Sequence, residues 1–290
     1  MPRQIAGLLM LLLFSLIQEL DAQEAFYDRS WKTVDSLYNK EGLTRDAVAM
    51  VNRIYTRAKA AQNTPQRVKA LLYKIYLEDQ YEEDALRTGI DWIEKELRTA
   101  PPVLAALLKS YQAQVYYSYS LRRPSLPAGP APREANMAGW SREQFQRKIL
   151  SCYLQSLREE RILQQTSLAP LNAILEKGNT RHLRPTLFDL LAHRALEFLQ
   201  SALLTTPEPI HPFEMDQEAF FAPLKIFSRT TIATTDSASP EWNSLRLYQR
   251  LLAFHAADKT PDAKLDVDLL RLRYVHAQST LPFKIGRAHV

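Results

Sequence analysis

The sequence contains a single cysteine, Cys152, so no disulfide can form within the chain. Cys152 lies in a helical pattern, and we interpret it as a small buried hydrophobic residue. The alternative, a reactive thiol, has no flanking residues that favour it. Glycine is also scarce, with 7 residues in a chain of 290, and apolar residues recur with the helical period much more often than with the strand period. These features predict an all-α protein.

The sequence also lacks the short motifs that mark common catalytic and nucleotide-binding sites. It contains no G-x-G-x-x-G, no phosphate-binding loop, no G-x-S-x-G and no H-E-x-x-H. His193 with Glu197 and His255 with Asp258 have helical spacing, but neither pair has an obvious third ligand. We interpret each as a hydrogen-bonded pair on a helix face and not as a metal site. The sequence leaves open a catalytic triad assembled from distant Ser, His and Asp residues. No catalytic residue, metal ligand, cofactor-binding residue or cofactor is predicted.

No strong excess of one charge is present. The formal net charge is +5, and the signs alternate along the helical segments, which favours a solvated surface over a nucleic-acid interface. The tyrosines could form a stacking platform for bases, but tyrosines at helical spacing are more often core residues with the hydroxyl at the edge. The sequence therefore predicts no nucleic-acid partner.

Residues 1–22 predict a secretory signal peptide. Arg3 supplies the positive charge, and the apolar run Ile5–Ile17 is too short for a comfortable membrane span. Cleavage after Ala22 would leave Gln23 as the first residue, and an uncleaved anchor is the alternative. We therefore expect an exported protein, periplasmic or in the cell envelope, with no stable membrane span.

Residues 23–122 have the pattern of consecutive helices with short connections. Helices are expected to start near Thr44, Pro65, Glu83 and Pro102, at a spacing of roughly 20 residues. Two such helices make a unit of the size found in helical-repeat arrays, although the tetratricopeptide consensus is absent. This region is predicted to form stacked antiparallel helical hairpins.

A proline-rich segment, 123–139, precedes a second helical region, 140–283. The segment is predicted to be an exposed linker or a loop between neighbouring helices, and a ligand for a proline-recognition domain is a less favoured alternative. Ser141 and Gln144 then fit a capping box. Residues 205–240, rich in Pro, Ser and Thr, are predicted to be mostly loop.

The best-specified helix of the second region is Arg184–Leu199. Pro185 disfavours helix before itself, Thr186 can cap the N-terminus, and Asp189 meets the positive end of the helix dipole. The apolar side of this helix requires partners. A later helix, Leu265–Val275, is less cleanly one-sided and is expected to be buried on more than one face.

The last residues, Ile285–Val290, have the sequence I-G-R-A-H-V. The codons ATC GGA AGA GCA CAC GTC would encode it, and they resemble a common sequencing adapter. We expect residues 284–290 to be an artefact and the natural protein to continue beyond Phe283.

Three stretches resemble the N-terminal region of large alpha-2-macroglobulin-family proteins from Bacteroidetes-type bacteria. They are P-Q-R-V-K-A-L-L-Y-K (65–74), R-P-T-L-F-D-L-L-A-H-R-A-L-E-F-L (184–199) and L-L-A-F-H-A-A-D-K-T-P-D-A-K-L-D-V-D-L-L-R-L-R-Y-V-H (251–276). The resemblance spans nearly all of the chain after residue 22. It implies an endopeptidase inhibitor whose macroglobulin β-domains, bait segment and thioester lie downstream in the same chain. Proteases would be partners through the full-length protein.

The thioester pattern of that family, C-x-E-Q, does not occur in this sequence, because Tyr153, Leu154 and Gln155 follow Cys152. None of the family's functional residues is therefore carried over to this chain. The expected function is a non-catalytic N-terminal helical segment of an alpha-2-macroglobulin-like protein. The alternatives are a free-standing periplasmic helical-repeat interaction module and, least favoured, a secreted hydrolase.

Overall fold

The computed structural model describes residues 22–123, 136–176, 178–201 and 212–281. These residues form helices and connecting loops, with one isolated bridge between Ser167 and Thr186 and no strand among them. The predicted all-α fold is confirmed. The predicted signal peptide (before Ala22), most of the 123–139 segment and the adapter-like 284–290 lie outside the described residues.

The helices follow the predicted order closely. The first, α1 (22–35), continues into a π-helical turn at Ser36–Lys40. The others are α2 (Thr44–Ala60), α3 (Thr64–Glu78), α4 (Ala85–Leu97), α5 (Pro102–Leu121), α6 (Arg142–Ser156), α7 (Glu160–Gln165), α8 (Leu187–Leu199), α9 (Leu224–Phe227), α10 (Pro240–Phe254) and α11 (Asp262–Gln278). None of the described helices is both long enough and apolar enough to span a bilayer.

The chain divides into two compact units. The first unit extends to Gly89 and includes Leu171–Leu175, whereas the second comprises Ile90–Pro170 and the chain from Glu176 onward. The predicted domain limits around 123–139 remain a prediction, because the centre of that segment lies outside the described residues.

The first unit has an apolar core formed by α1, α2 and α3. Its most buried members include Tyr27, Val34, Val51, Ile54 and Leu77. The short connection 61–63 reverses the chain, so α2 and α3 form a hairpin. The N-cap of α3 is Asn63, whose side chain accepts a hydrogen bond from the Gln66 N–H.

Helix α8 is central to the second unit, as its apolar face required. It packs against α5, α6, α7 and α10, and Leu187, Phe188, Leu191 and Leu199 are almost fully buried. Leu187, which follows Thr186, donates its N–H to the Thr166 carbonyl, and this bond anchors the start of α8.

The predicted capping box at α6 is confirmed, and the predicted Thr186 cap of α8 is part of a second capping box. At α6, Ser141 accepts from the Gln144 N–H while the Gln144 side chain accepts from the Ser141 N–H. At α8, Thr186 and Asp189 form the same reciprocal arrangement. Each box satisfies helix N–H groups that would otherwise lack partners.

The described part of the predicted loop, 212–240, is mostly irregular but firmly attached. It contains a 3₁₀ turn at Glu218–Phe221 and the short α9. Arg271 of α11, fully buried, donates to the carbonyls of Phe220 and Ala222 and lies over the ring of Phe227. The buried guanidinium therefore satisfies two backbone carbonyls of this irregular segment.

Helix α11 departs from its prediction. It is longer than Leu265–Val275, and its buried residues Ala263, Val267, Arg271 and Tyr274 follow one face. Leu265 and Leu269 are 52% and 54% exposed, so the expectation of burial on several faces was wrong for these two leucines. The irregular apolar pattern arises because a charged residue occupies a core position and leucines occupy the surface.

Candidate functional site

Two features of the structure carry polar chemistry, one in each unit. In the second unit, Asp189, His255 and Asp258 form a hydrogen-bonded chain, which we call the Asp–His–Asp network. In the first unit, α1 and α3 border an open groove, which we call the α1–α3 groove.

The Asp–His–Asp network joins the start of α8 to the end of α10. His255 Nε2 lies 2.8 Å from Asp189 Oδ1, and His255 Nδ1 lies 2.7 Å from Asp258 Oδ2. Asp189 and His255 are buried, with relative exposures of 0% and 1%. The second oxygen of Asp189 accepts from the Thr186 hydroxyl at 2.7 Å and from its N–H at 3.0 Å. Every described polar atom of the buried pair thus has a partner.

The electrostatics favour a protonated histidine. Burial by itself lowers the pKa of His255, but the hydrogen bonds and negative charges of Asp189 and Asp258 outweigh burial and raise the pKa above its usual value of 6.5. His255 also lies at the C-terminal end of α10, where the helix dipole stabilises a positive charge. The network therefore links the start of α8 to the end of α10 through hydrogen bonds between one imidazole and two carboxylates.

This geometry does not match a nucleophilic triad. A triad needs one imidazole nitrogen free to accept a proton from a hydroxyl or thiol. Here both nitrogens of His255 face carboxylates, and the nearby hydroxyl of Thr186 donates to Asp189 instead. The arrangement stabilises structure and does not activate a nucleophile.

The second His–carboxylate pair considered from the sequence is His193 with Glu197. His193 Nδ1 lies 2.8 Å from the backbone oxygen of Asp189, and burial followed by the charge of Arg184 lowers its pKa. Glu197, its proposed partner, is exposed. In the described ranges no cluster of three or more His, Cys, Asp or Glu side chains is arranged to hold a metal ion.

Cys152 is buried, as expected. Its Sγ lies 3.5 Å from Gln112 Oε1, and burial raises the pKa of the thiol above its usual value. A protonated, inaccessible thiol is a poor nucleophile. The interpretation of Cys152 as a small core residue is confirmed.

The α1–α3 groove has a volume of about 920 Å³. Trp31 of α1 and Tyr38 of the π-helical turn that follows it contribute one side, and Lys69, Tyr73 and Tyr76 of α3 contribute the other. Helical spacing places Tyr76 on the apolar stripe of α3 with Val68, Leu71 and Ile75, but the Tyr76 side chain is 52% exposed. The sequence analysis missed this groove, although two tyrosines three residues apart on α3 were a signal that could have indicated it.

The sequence analysis also missed the pairing of Asp189 with His255, which are 66 positions apart. Each residue had a local explanation, Asp189 at a helix dipole and His255 with Asp258, and those explanations concealed the long-range contact. Comparison with protein-family models found no match, and neither did comparison with curated proteins or with solved structures.

Proposed function

We propose that this chain is the non-catalytic N-terminal helical segment of an exported alpha-2-macroglobulin-like protein. In the full-length protein the segment supports downstream macroglobulin domains, and protease trapping belongs to those domains. The segment itself contributes structure and contacts, and its location is the periplasm or the cell envelope.

The observation that carries the proposal is the contact between two of the three stretches on which the resemblance rests. Residues 184–199 supply Asp189, and residues 251–276 supply His255 and Asp258. An ion pair also joins the same stretches, Arg184 with Asp266 at 3.5 Å. Two polar contacts, between residues 66 and 82 positions apart, thus connect the two family-like stretches. A structural role for the two stretches accounts for the resemblance and requires no catalytic residue.

The chemistry of the titratable groups supports the non-catalytic part of the proposal. A general base needs a free nitrogen or carboxylate oxygen near a substrate position. His255 is occupied on both nitrogens, and the Cys152 thiol is buried and protonated. These residues therefore fit a structural role.

The experiment is to recover the genomic locus and to read it beyond Phe283. The proposal expects an open frame that encodes β-sandwich domains, and a stop codon directly after Val290 in clean genomic sequence would refute it. The full-length protein, incubated with trypsin or elastase, should then protect a large protein substrate more than a small peptide substrate. The present chain alone is the control and should protect neither.

The export part has its own measurement. Fractionation of cells that express the full-length gene should place the protein in the periplasm or envelope, with Gln23 at its N-terminus. Recovery in the cytoplasm with an intact Met1 would contradict this part without affecting the fold.

A second candidate function, a free-standing periplasmic interaction module, is favoured by one observation, the open α1–α3 groove. A stop codon close to Phe283 in the genome would select this candidate. A secreted hydrolase remains the least favoured function. It would be selected if the purified chain hydrolysed a substrate and kept this activity through further purification steps.

A further inference from the structure

The α1–α3 groove has an ordered aromatic wall. Trp31 Nε1 donates to Gln66 Oε1 at 2.7 Å, and the rings of Trp31 and Tyr73 have centroids 4.9 Å apart. Farther along, the ring centroids of Tyr38 and Tyr76 are 5.9 Å apart and their hydroxyls 3.2 Å apart. Rings held by hydrogen bonds and by one another lose little entropy when a ligand packs on them.

The ammonium groups of three lysines also line the groove. Lys69 Nζ lies 4.4 Å from the centre of the Trp31 ring and 5.8 Å from that of Tyr73. Lys32 and Lys40 also line the groove, and in the described ranges none of the three lysines forms an ion pair. The one carboxylate among the lining residues, Asp35, accepts a hydrogen bond from Asn39. The lining therefore carries an excess of positive charge.

Lys69 is the most unusual of these lysines because it is half-buried. Burial lowers its pKa below the usual 10.5, and the charge of Asp28 offsets only part of this effect. A carboxylate that reached Lys69 would supply the missing counter-charge in partly desolvated surroundings, where such a pair is stronger than on an open surface.

We propose that the α1–α3 groove binds an extended acidic peptide segment of a partner protein. An apolar, aromatic or proline side chain of the segment packs on Trp31 and Tyr73, and an adjacent Asp or Glu pairs with Lys69. Aromatic anchors beside a charged group are the usual composition of interface hot spots, and the groove volume suits a few residues of extended chain.

Two other occupants fit the groove less well. A single-stranded nucleic acid needs a continuous basic track for its phosphates, whereas Asp35 and the apolar Val34 and Leu72 interrupt the lysines. A second copy docked groove to groove would bring two positively charged surfaces together, because a twofold interface pairs a patch with itself. The charge of the groove therefore selects an acidic peptide.

The inference does not depend on the macroglobulin-like proposal, because it rests on residues of the first unit alone. The test is selection from a display library of random dodecapeptides on the immobilised chain, followed by fluorescence anisotropy with synthetic copies of the enriched peptides. We expect enrichment of Asp or Glu next to Trp, Phe, Tyr, Leu or Pro. Absence of enrichment, or enrichment of basic or purely apolar peptides, would overturn the proposal.

The variants define the site. Lys69→Glu and Tyr73→Ala should each weaken binding by about tenfold or more, which corresponds to about 1.4 kcal/mol. Lys59→Glu is the matched control, since Lys59 also lies over a tyrosine ring, Tyr55, but does not line the groove. It should leave the Kd within about twofold. Equal effects of Lys69→Glu and Lys59→Glu would place the peptide elsewhere.

A charge-swap experiment guards against a variant that merely unfolds. Peptides in which Lys replaces the acidic residues should bind Lys69→Glu better than the wild type, which a misfolded variant cannot do. The circular dichroism spectra of Lys69→Glu and Tyr73→Ala should match the spectrum of the wild type. Two results would refute the peptide proposal. If the wild type binds an oligo-dT strand more tightly than the enriched peptides and Lys69→Glu abolishes that binding, the groove is a nucleic-acid site. If the wild type sediments as a dimer that Lys69→Glu dissociates, the groove is a self-association site.

Discussion

The two units of this chain place their charged side chains differently. Among the described residues of the first unit, Ser30 is the one buried polar residue, and the groove lysines are exposed or, at Lys69, half-buried. The second unit buries Asp189, His255 and Arg271 almost completely. Buried charges must be paired, so in the second unit they determine how helices and loops pack. Accessible charges in the first unit contribute little to stability and are available for binding.

The largest expected effect comes from removal of Asp189. Asp189→Ala takes away the partner of His255 Nε2 and one half of the α8 capping box, so the buried imidazole loses one of its two carboxylate partners. We expect the free energy of unfolding to fall by about 3–5 kcal/mol in urea denaturation. Asp258→Ala, at the more exposed end of the network, should cost less. Equal losses would show that the buried pair has no special role.

Removal of Arg271 should have the next largest effect. Arg271→Met keeps apolar volume but leaves the carbonyls of Phe220 and Ala222 without their donors, and we expect a loss of about 2–3 kcal/mol. Trypsin should then cleave sooner after Lys225 and Arg229 in the released segment. Arg273→Met, an exposed neighbour on α11, is the control. If both variants resist trypsin equally, the guanidinium does not hold this segment.

Stability should depend on pH through the two histidines of α8 and α10. The pKa of His255 is raised in the folded state, so its stabilisation is complete below pH 6.5 and is lost as the pH rises through the folded pKa. The pKa of His193 is lowered, so the folded state loses stability as the pH falls below 6.5. Urea titrations at a series of pH values should show a decline above pH 6.5 that His255→Gln abolishes. A decline that persists in His255→Gln would assign it to another group.

The smallest expected effect is a packing change in the first unit. A Cβ at Gly89 of α4 would lie 2.8 Å from Ile75 Cγ1 of α3. Overpacking costs about 1–3 kcal/mol, and the better helix propensity of alanine returns about 1 kcal/mol. Gly89→Ala should therefore lower the thermal midpoint modestly. In an Ile75→Ala background, Gly89→Ala should be neutral or stabilising. If the effects of Gly89→Ala and Ile75→Ala on the thermal midpoint are additive, the two positions do not contact each other.

Local signals in the sequence were sufficient for most of the helices. Ser141 with Gln144, Pro102 and Thr186 predicted helix starts that the structure has, because caps and proline act over three or four residues. Local patterns failed where a side chain serves a distant partner. Tyr76 fits a helical stripe but is exposed, and Arg271 interrupts a stripe but is buried.

The sequence by itself determined most of the helices, the caps at Ser141 and Thr186, the single cysteine and the absence of the common catalytic motifs, since each depends on residue type and short spacing. Only the tertiary structure decided that His255 meets Asp189 across 66 residues, that Arg271 satisfies a loop backbone, and that Trp31, Lys69 and Tyr73 share one groove. The physical reason is that burial and pairing of charges depend on which helix faces meet, and helical periodicity identifies a face without identifying its partner.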